Sequence, residues 1–99
     1  MNYTTTRNEE KNITRHDWTL DGYTLTIIKY EDRSNRITIK APLDAPELCV
    51  DDFREDPAVE VNWSAIGNVT GAEARKYAAK IVAAADIAET FQGIIDGMK

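Results

Sequence analysis

Asp21-Gly22 stands directly between two runs of alternating side chains, and no other dipeptide limits the fold of this chain as strongly. A type I′ turn needs positive φ at both of its central residues, and Asp-Gly supplies them. On the near side, His16, Trp18 and Leu20 fall on one face while Asp17 and Thr19 fall on the other, the period of a half-buried strand. On the far side, Tyr23 to Tyr30 is rich in β-branched and aromatic residues, with Leu25 and Ile27 in phase with Trp18 and Leu20. After a polar turn, Arg36 to Ala41 gives a third strand with Ile37, Ile39 and Ala41 inward, closed by Pro42. Three strands on short turns predict an antiparallel meander.

Residues 1–12 are polar and unpatterned and read as a flexible N-terminal tail, leaving 13–99 as a single domain. Residues 42–57 hold all three prolines (Pro42, Pro46, Pro57) and most of the clustered acids. They read as an acidic loop with a turn of helix over Glu47–Phe53. Ala58 to Trp63 alternates again, giving a fourth strand with Val59, Val61 and Trp63 on the core side. Thr70-Gly71-Ala72-Glu73 matches a capping box and opens a helix from 71 to about 92, ending at Gly93 or a turn later through Ile94 and Ile95. Ala74, Ala78, Ile81, Ala85, Ala88 and Phe91 recur at helical spacing as its apolar stripe, with Ala78, Ile81, Ala85 and Ala88 expected against the sheet. The fold class is therefore α+β: a four-stranded antiparallel β-meander with one long C-terminal helix packed across one face, ββββα.

Charge is distributed unevenly. Between Asp44 and Glu60 seven acids stand against one base, Arg54, while the rest of the chain is close to neutral and the total is −5. A block of this kind steers encounters over about a Debye length. The acids also enclose apolar residues, as the rim and centre of a docking patch do. The expected partner-binding site is Asp44, Glu47, Leu48, Asp51, Asp52, Phe53, Glu55, Asp56 and Glu60, facing a protein with a basic surface. An alternative site is the sheet face carrying Ile28, Lys29, Tyr30, Arg33, Arg36 and Lys40, where aromatic and basic residues together suit single-stranded nucleic acid. The negative net charge makes direct nucleic-acid binding the weaker expectation. For self-association, the eight alanines of 72–88 allow a second copy of the helix to approach closely, and the sheet offers another surface.

Catalysis finds little support. His16 is the single histidine and sits in phase with Trp18, and Cys49, the single cysteine, has acidic neighbours rather than a base that would activate it. One cysteine excludes an intramolecular disulfide and a thiolate metal cluster. Counted from Asp51 as an EF-hand loop, position six is Asp56 and position twelve is Asn62 where calcium requires Gly and Glu. The five glycines are scattered, so no phosphate-binding loop is present. The expectation is a non-enzyme without cofactor or metal. Four Asn-x-Ser/Thr triplets, at Asn2, Asn12, Asn62 and Asn68, are read as chance or as caps because no apolar leader begins the chain. No run reaches membrane-spanning length, and the expected location is cytoplasmic.

At the level of element order, a four-stranded meander followed by a helix, over residues 14–92, resembles the repeat of the Pur-alpha family. That resemblance implies a single-stranded nucleic-acid binder and rests on no signature residue; a further alternative is a structural subunit whose helix or sheet face completes a larger assembly. In its profile of size, acidity and missing catalytic groups the chain is similar to phage-type inhibitors of nucleic-acid-handling defence proteins such as CRISPR or restriction effectors. Those proteins offer a basic groove that clustered carboxylates can occupy.

Overall fold

The computed structural model describes residues 1–52, 54–63 and 66–98. Four strands, β1 (Asn2–Asn8), β2 (Ile13–Leu20), β3 (Tyr23–Tyr30) and β4 (Arg36–Lys40), form an antiparallel sheet in the order β1-β2-β3-β4. Two shorter strands, β5 (Glu47–Val50) and β6 (Val59–Asn62), pair in a second antiparallel sheet, and α1 (Gly71–Gly97) closes the chain. The α+β class with a four-stranded meander and one long C-terminal helix is as the sequence predicts. The turn at Asp21-Gly22 has φ of 49° and 83°. The positive φ favours glycine there, and a side chain on Gly22 would in addition press 3.2 Å from the Pro42 ring.

Three elements differ from expectation. Residues 1–12 are not a tail: Asn2 to Asn8 pair with β2 along their whole length, from Asn2↔Thr19 to Asn8↔Ile13. The connecting turn is built by two asparagines. Asn8 Oδ1 accepts from the Lys11 amide at 3.1 Å, and Asn12 takes the left-handed conformation at φ 53°. All seven residues of β1 are exposed, so the strand carries no hydrophobic alternation to betray it. Where the sequence predicts a turn of helix over Glu47–Phe53, Glu47–Val50 form β5 instead and Phe53 lies outside the described residues. Within the strand predicted over Ala58–Trp63, Val59–Asn62 pair with β5 rather than extending the meander.

The helix also packs in a different phase. Its buried residues are Ala84, Ile87, Ala88, Phe91 and Ile95, whereas Ala74 and Ala78 are exposed and Ile81 is 38% exposed. Alanine removes little area from water, so the large side chains at 87, 91 and 95 set the face. They meet Tyr23, Leu25, Ile27, Ile37 and Leu48 in one core, in which Phe91 is fully buried. Gly93 does not end the helix, because Ile95 beyond it is part of that core. Thr70 caps the N-terminus as predicted, its hydroxyl accepting from the Glu73 amide while the Glu73 carboxylate accepts from the Thr70 amide.

The N-terminal half of α1 extends beyond the core, in a molecule measuring 53 × 26 × 20 Å. It is held at its side by Trp63, which is half-buried edge-on against Tyr77 rather than in the core, and by Lys80, which donates to the Asp44 carbonyl at 3.0 Å. Polar ties fasten the small sheet to the rest. Tyr23 donates to the Pro46 carbonyl at 2.6 Å. Gln92 accepts from the Val59 amide at 2.8 Å and donates to the Pro57 carbonyl at 3.0 Å.

Candidate functional site

The acidic segment does not form one uniform patch. Leu48 is buried in the core and cannot anchor a partner; its alternation with Glu47 and Cys49 along β5 turns it inward. Phe53 lies outside the described residues. Asp52 serves the fold: its carboxylate accepts from the Ile37 amide at 3.2 Å, lies 3.8 Å from Arg36, and is only 15% exposed. Asp44, Glu47, Asp51, Glu55, Asp56 and Glu60 are exposed. Glu47 and Glu60 share the outer face of the β5–β6 hairpin as diagonal neighbours, because Glu47 pairs with Asn62 and Cys49 with Glu60.

Next to Asp44 in the chain stands Leu43, 94% exposed, a residue the site expected from sequence did not include. Its loop is fixed by Pro42 against Gly22, by the left-handed Asp44 at φ 58°, and by the Lys80 bond to the Asp44 carbonyl. A large apolar side chain presented to water on a restrained loop, next to the carboxylate of Asp44, has the composition of a docking anchor.

The alternative basic set is divided between the two faces of the sheet. Ile28 pairs with Arg15 and Arg36, and Tyr30 with Ile13, on the outer face; Lys29 pairs with Thr14 on the inner one. Arg33 lies over the Tyr30 ring at 4.7 Å and pairs with Asp32, and Arg36 faces Asp52, so these groups are engaged within the molecule. Lys40 is exposed opposite Thr24 at the far end. The rest of the outer face is a threonine-rich surface on which Asp17 accepts from Thr26 at 2.6 Å and from Arg15 at 2.9 Å. The two expected sites converge on a cleft of ≈ 710 Å³ whose lining includes Arg33, Arg36, Arg54, Asp52 and Glu55 together with the core residues Ile27 and Ile95.

A third surface follows from β1. Tyr3 pairs with Trp18, and both face the side of the sheet that carries Leu25 and Ile27. The Tyr3 hydroxyl is 2.6 Å from His16 Nδ1, and the two rings are inclined by only 10°. That distance is shorter than the separation of about 3.5 Å between rings in face contact, so Tyr3 and His16 meet at their edges in near-parallel planes rather than face to face. Trp18 is inclined 18° to Tyr3 with centroids 5.0 Å apart. Rings lying edge to edge keep their centroids more than about 6 Å apart, so Trp18 overlaps Tyr3 face to face with an offset. The result is a stepped ring shelf of near-parallel rings, with Tyr3, on the edge strand, 47% exposed. Arg7 and Lys29 share its face of the sheet through their pairing with Thr14.

Partial burial, followed by repulsion from Lys29, holds the His16 imidazole below its ordinary pKa, against a smaller pull from Asp17. For the Tyr3 hydroxyl to donate to Nδ1, the neutral imidazole must carry its own proton on Nε2. Protonation removes that acceptor. The contribution of His16 to stability is therefore complete above the ordinary imidazole pKa and is lost as pH falls through the depressed one. Trp18 emission, read in a Trp63→Phe background, is expected to titrate with a midpoint below that of free imidazole. His16→Gln should abolish the transition. A midpoint at or above the free value would contradict the geometry.

Comparison with protein-family models, with curated proteins and with solved structures returns no match. Among the described residues no helix is long and apolar enough to cross a membrane, and no cluster of three or more His, Cys, Asp or Glu is placed to hold a metal ion.

Sequence reasoning missed Tyr3, Leu43 and Gln92. For Tyr3 a signal existed: Thr4-Thr5-Thr6 behind an aromatic residue has strand propensity, and Asn8 and Asn12 bracket a turn. For Leu43 and Gln92 there was none, since exposure of one leucine and the reach of one amide depend on tertiary packing.

Proposed function

We propose that the protein is a non-catalytic binding module that docks a partner protein through its acidic end. The observation that carries this reading is the fully presented Leu43 beside Asp44, with Glu47 and Glu60 on the outer face of the adjoining hairpin. Carboxylates steer a basic surface into contact, and a desolvated leucine slows its departure. The class of partner that fits best has a basic groove made for a polyanion, as nucleic-acid-handling defence proteins have, and the module would then act as an inhibitor. The non-catalytic part of the reading is supported by His16, whose Nδ1 is occupied by Tyr3, and by Cys49, which is exposed across from Glu60.

A second reading, single-stranded nucleic-acid binding, is favoured by the ring shelf with Arg7 and Lys29 on its face. It moves the platform from Ile28 and Tyr30 on the outer face to Tyr3, His16 and Trp18 on the inner one.

One experiment separates them. The immobilised protein is offered a nuclease-treated lysate, and separately a fluorescent oligothymidylate, each at low salt and at about 0.5 M salt, where the Debye length falls to roughly 4 Å. The first reading expects a basic protein retained at low salt and released at high salt, with no oligonucleotide bound. Oligonucleotide retention that Tyr3→Ala abolishes would replace it with the second.

A further inference from the structure

β1 is the free edge of the main sheet, and it is an unprotected one. Seven residues long and exposed throughout, it pairs, among the described residues, with β2 on one side only. Half of its amides and carbonyls therefore point outward, as an antiparallel ladder requires. Edge strands are normally blunted by proline, lysine, a bulge or shortness. Here the register with β2 runs without a bulge, proline and lysine are absent, and Arg7 is the sole charge. The opposite edge is treated differently. β4 has five residues, a base at each end in Arg36 and Lys40, and Pro42 two residues on.

The sequence of β1 is also complementary to itself. In antiparallel pairing about a two-fold axis at Thr5, Thr5 meets Thr5 of the second copy and Thr4 meets Thr6. Tyr3 then meets Arg7, and Asn2 meets Asn8. Residues directly opposite each other share a face, so each contact joins compatible partners: hydroxyl with hydroxyl, amide with amide, and guanidinium with ring. Arg7 is held through its N–H groups by Thr14 at 2.9 Å and Glu31 at 3.2 Å, a grip that leaves the faces of the guanidinium free to lie on a tyrosine. Other centres do less well. An axis at Thr6 pairs five residues instead of seven, and one at Arg7 sets two like charges opposite each other.

We propose that β1 is a self-association edge: two copies pair β1 to β1 about Thr5, making one continuous eight-stranded sheet in which the Tyr3 of each ring shelf faces Arg7 of the other copy. The proposal is independent of the acidic end, which lies on β5, β6 and their flanking loops.

The test is the mass of the intact chain by sedimentation equilibrium, together with a cross-link that reports the register. The chain is expected to reach twice its mass as concentration rises. Thr5→Lys, which sets two lysines opposite each other at an exposed position, should weaken association by roughly tenfold or more while leaving the circular dichroism unchanged. In a Cys49→Ser background, Thr5→Cys should oxidise to a covalent dimer and Thr4→Cys should not, because position 4 faces position 6 of the partner copy. A chain that stays monomeric at all concentrations overturns the proposal. So does a dimer that survives Thr5→Lys and cross-links through Val82→Cys, which would place the contact on the exposed side of the helix.

Discussion

Phe91→Ala is expected to cost about 3–5 kcal/mol, a large part of the roughly 5–15 kcal/mol that holds a domain of this size together. Phe91 is 0% exposed and lies where the helix meets the β3, β4 and β5 side chains of the core. Removing its ring takes away apolar contact on every side and leaves a cavity that Ile87 and Ile95, one turn either way on the same helix, are badly placed to fill. A urea titration should show the midpoint falling sharply, with little change in slope if the native state keeps its compactness. The informative control is Ile81→Asp. The sequence places Ile81 at the centre of the helix–sheet contact, where a buried charge would unfold the domain. The structure places it 38% exposed, and the substitution should cost no more than about 1 kcal/mol. If Ile81→Asp proved the more damaging of the two, the helix would be packed in the phase of its alanines after all.

Neutralising Asp44→Asn, Glu47→Gln, Glu55→Gln and Glu60→Gln together is expected to slow association with a basic partner by roughly tenfold or more at low salt. The difference should shrink as salt screens the field. All four residues are exposed, so each change should alter stability by no more than about 0.5 kcal/mol. Asparagine at position 44 keeps a side chain that tolerates the left-handed backbone found there. Asp52 is left intact in this variant because it holds the Ile37 amide, and losing it would confuse a binding defect with a folding one. Leu43→Ala should act on the other rate constant, speeding dissociation with little effect on association. Stopped-flow or surface binding kinetics at two salt concentrations distinguish these patterns. An unchanged association rate in the quadruple variant would leave the acidic residues a role in solubility only, and the ring shelf would become the leading surface.

What the sequence made legible follows from which interactions leave a local pattern. The β2–β3 hairpin was readable because alternation and the Asp-Gly turn agree, and the start of α1 because both halves of the capping box are present. The phase of α1 was not, since eight alanines give nearly equal support to several faces and the large residues that decide lie late in the helix. β1 was hidden for the opposite reason: it buries nothing, and a strand held by main-chain pairing alone has no hydrophobic signature. β5 is four residues long amid prolines and acids, too short for its Leu48–Val50 alternation to outweigh the composition around it. The charge of the candidate site could be counted from the residues. Which carboxylates are spent inside the fold, as Asp52 is, and which apolar neighbours are core, as Leu48 is, depends on contacts distant in sequence.

Gln92 gives the acidic face a dependence that its own residues do not reveal. A hairpin of four residue pairs is not stable alone, and β5–β6 takes its bearing from a helical side chain that grips both the Val59 amide and the Pro57 carbonyl. The carboxylates of Glu47 and Glu60 thus ride on a small platform bolted to the last turns of α1. Anything that loosens those turns would swing the charges out of alignment without removing one of them. A defect in recognition could therefore arise far from every residue that touches the partner, with the net charge of the molecule untouched.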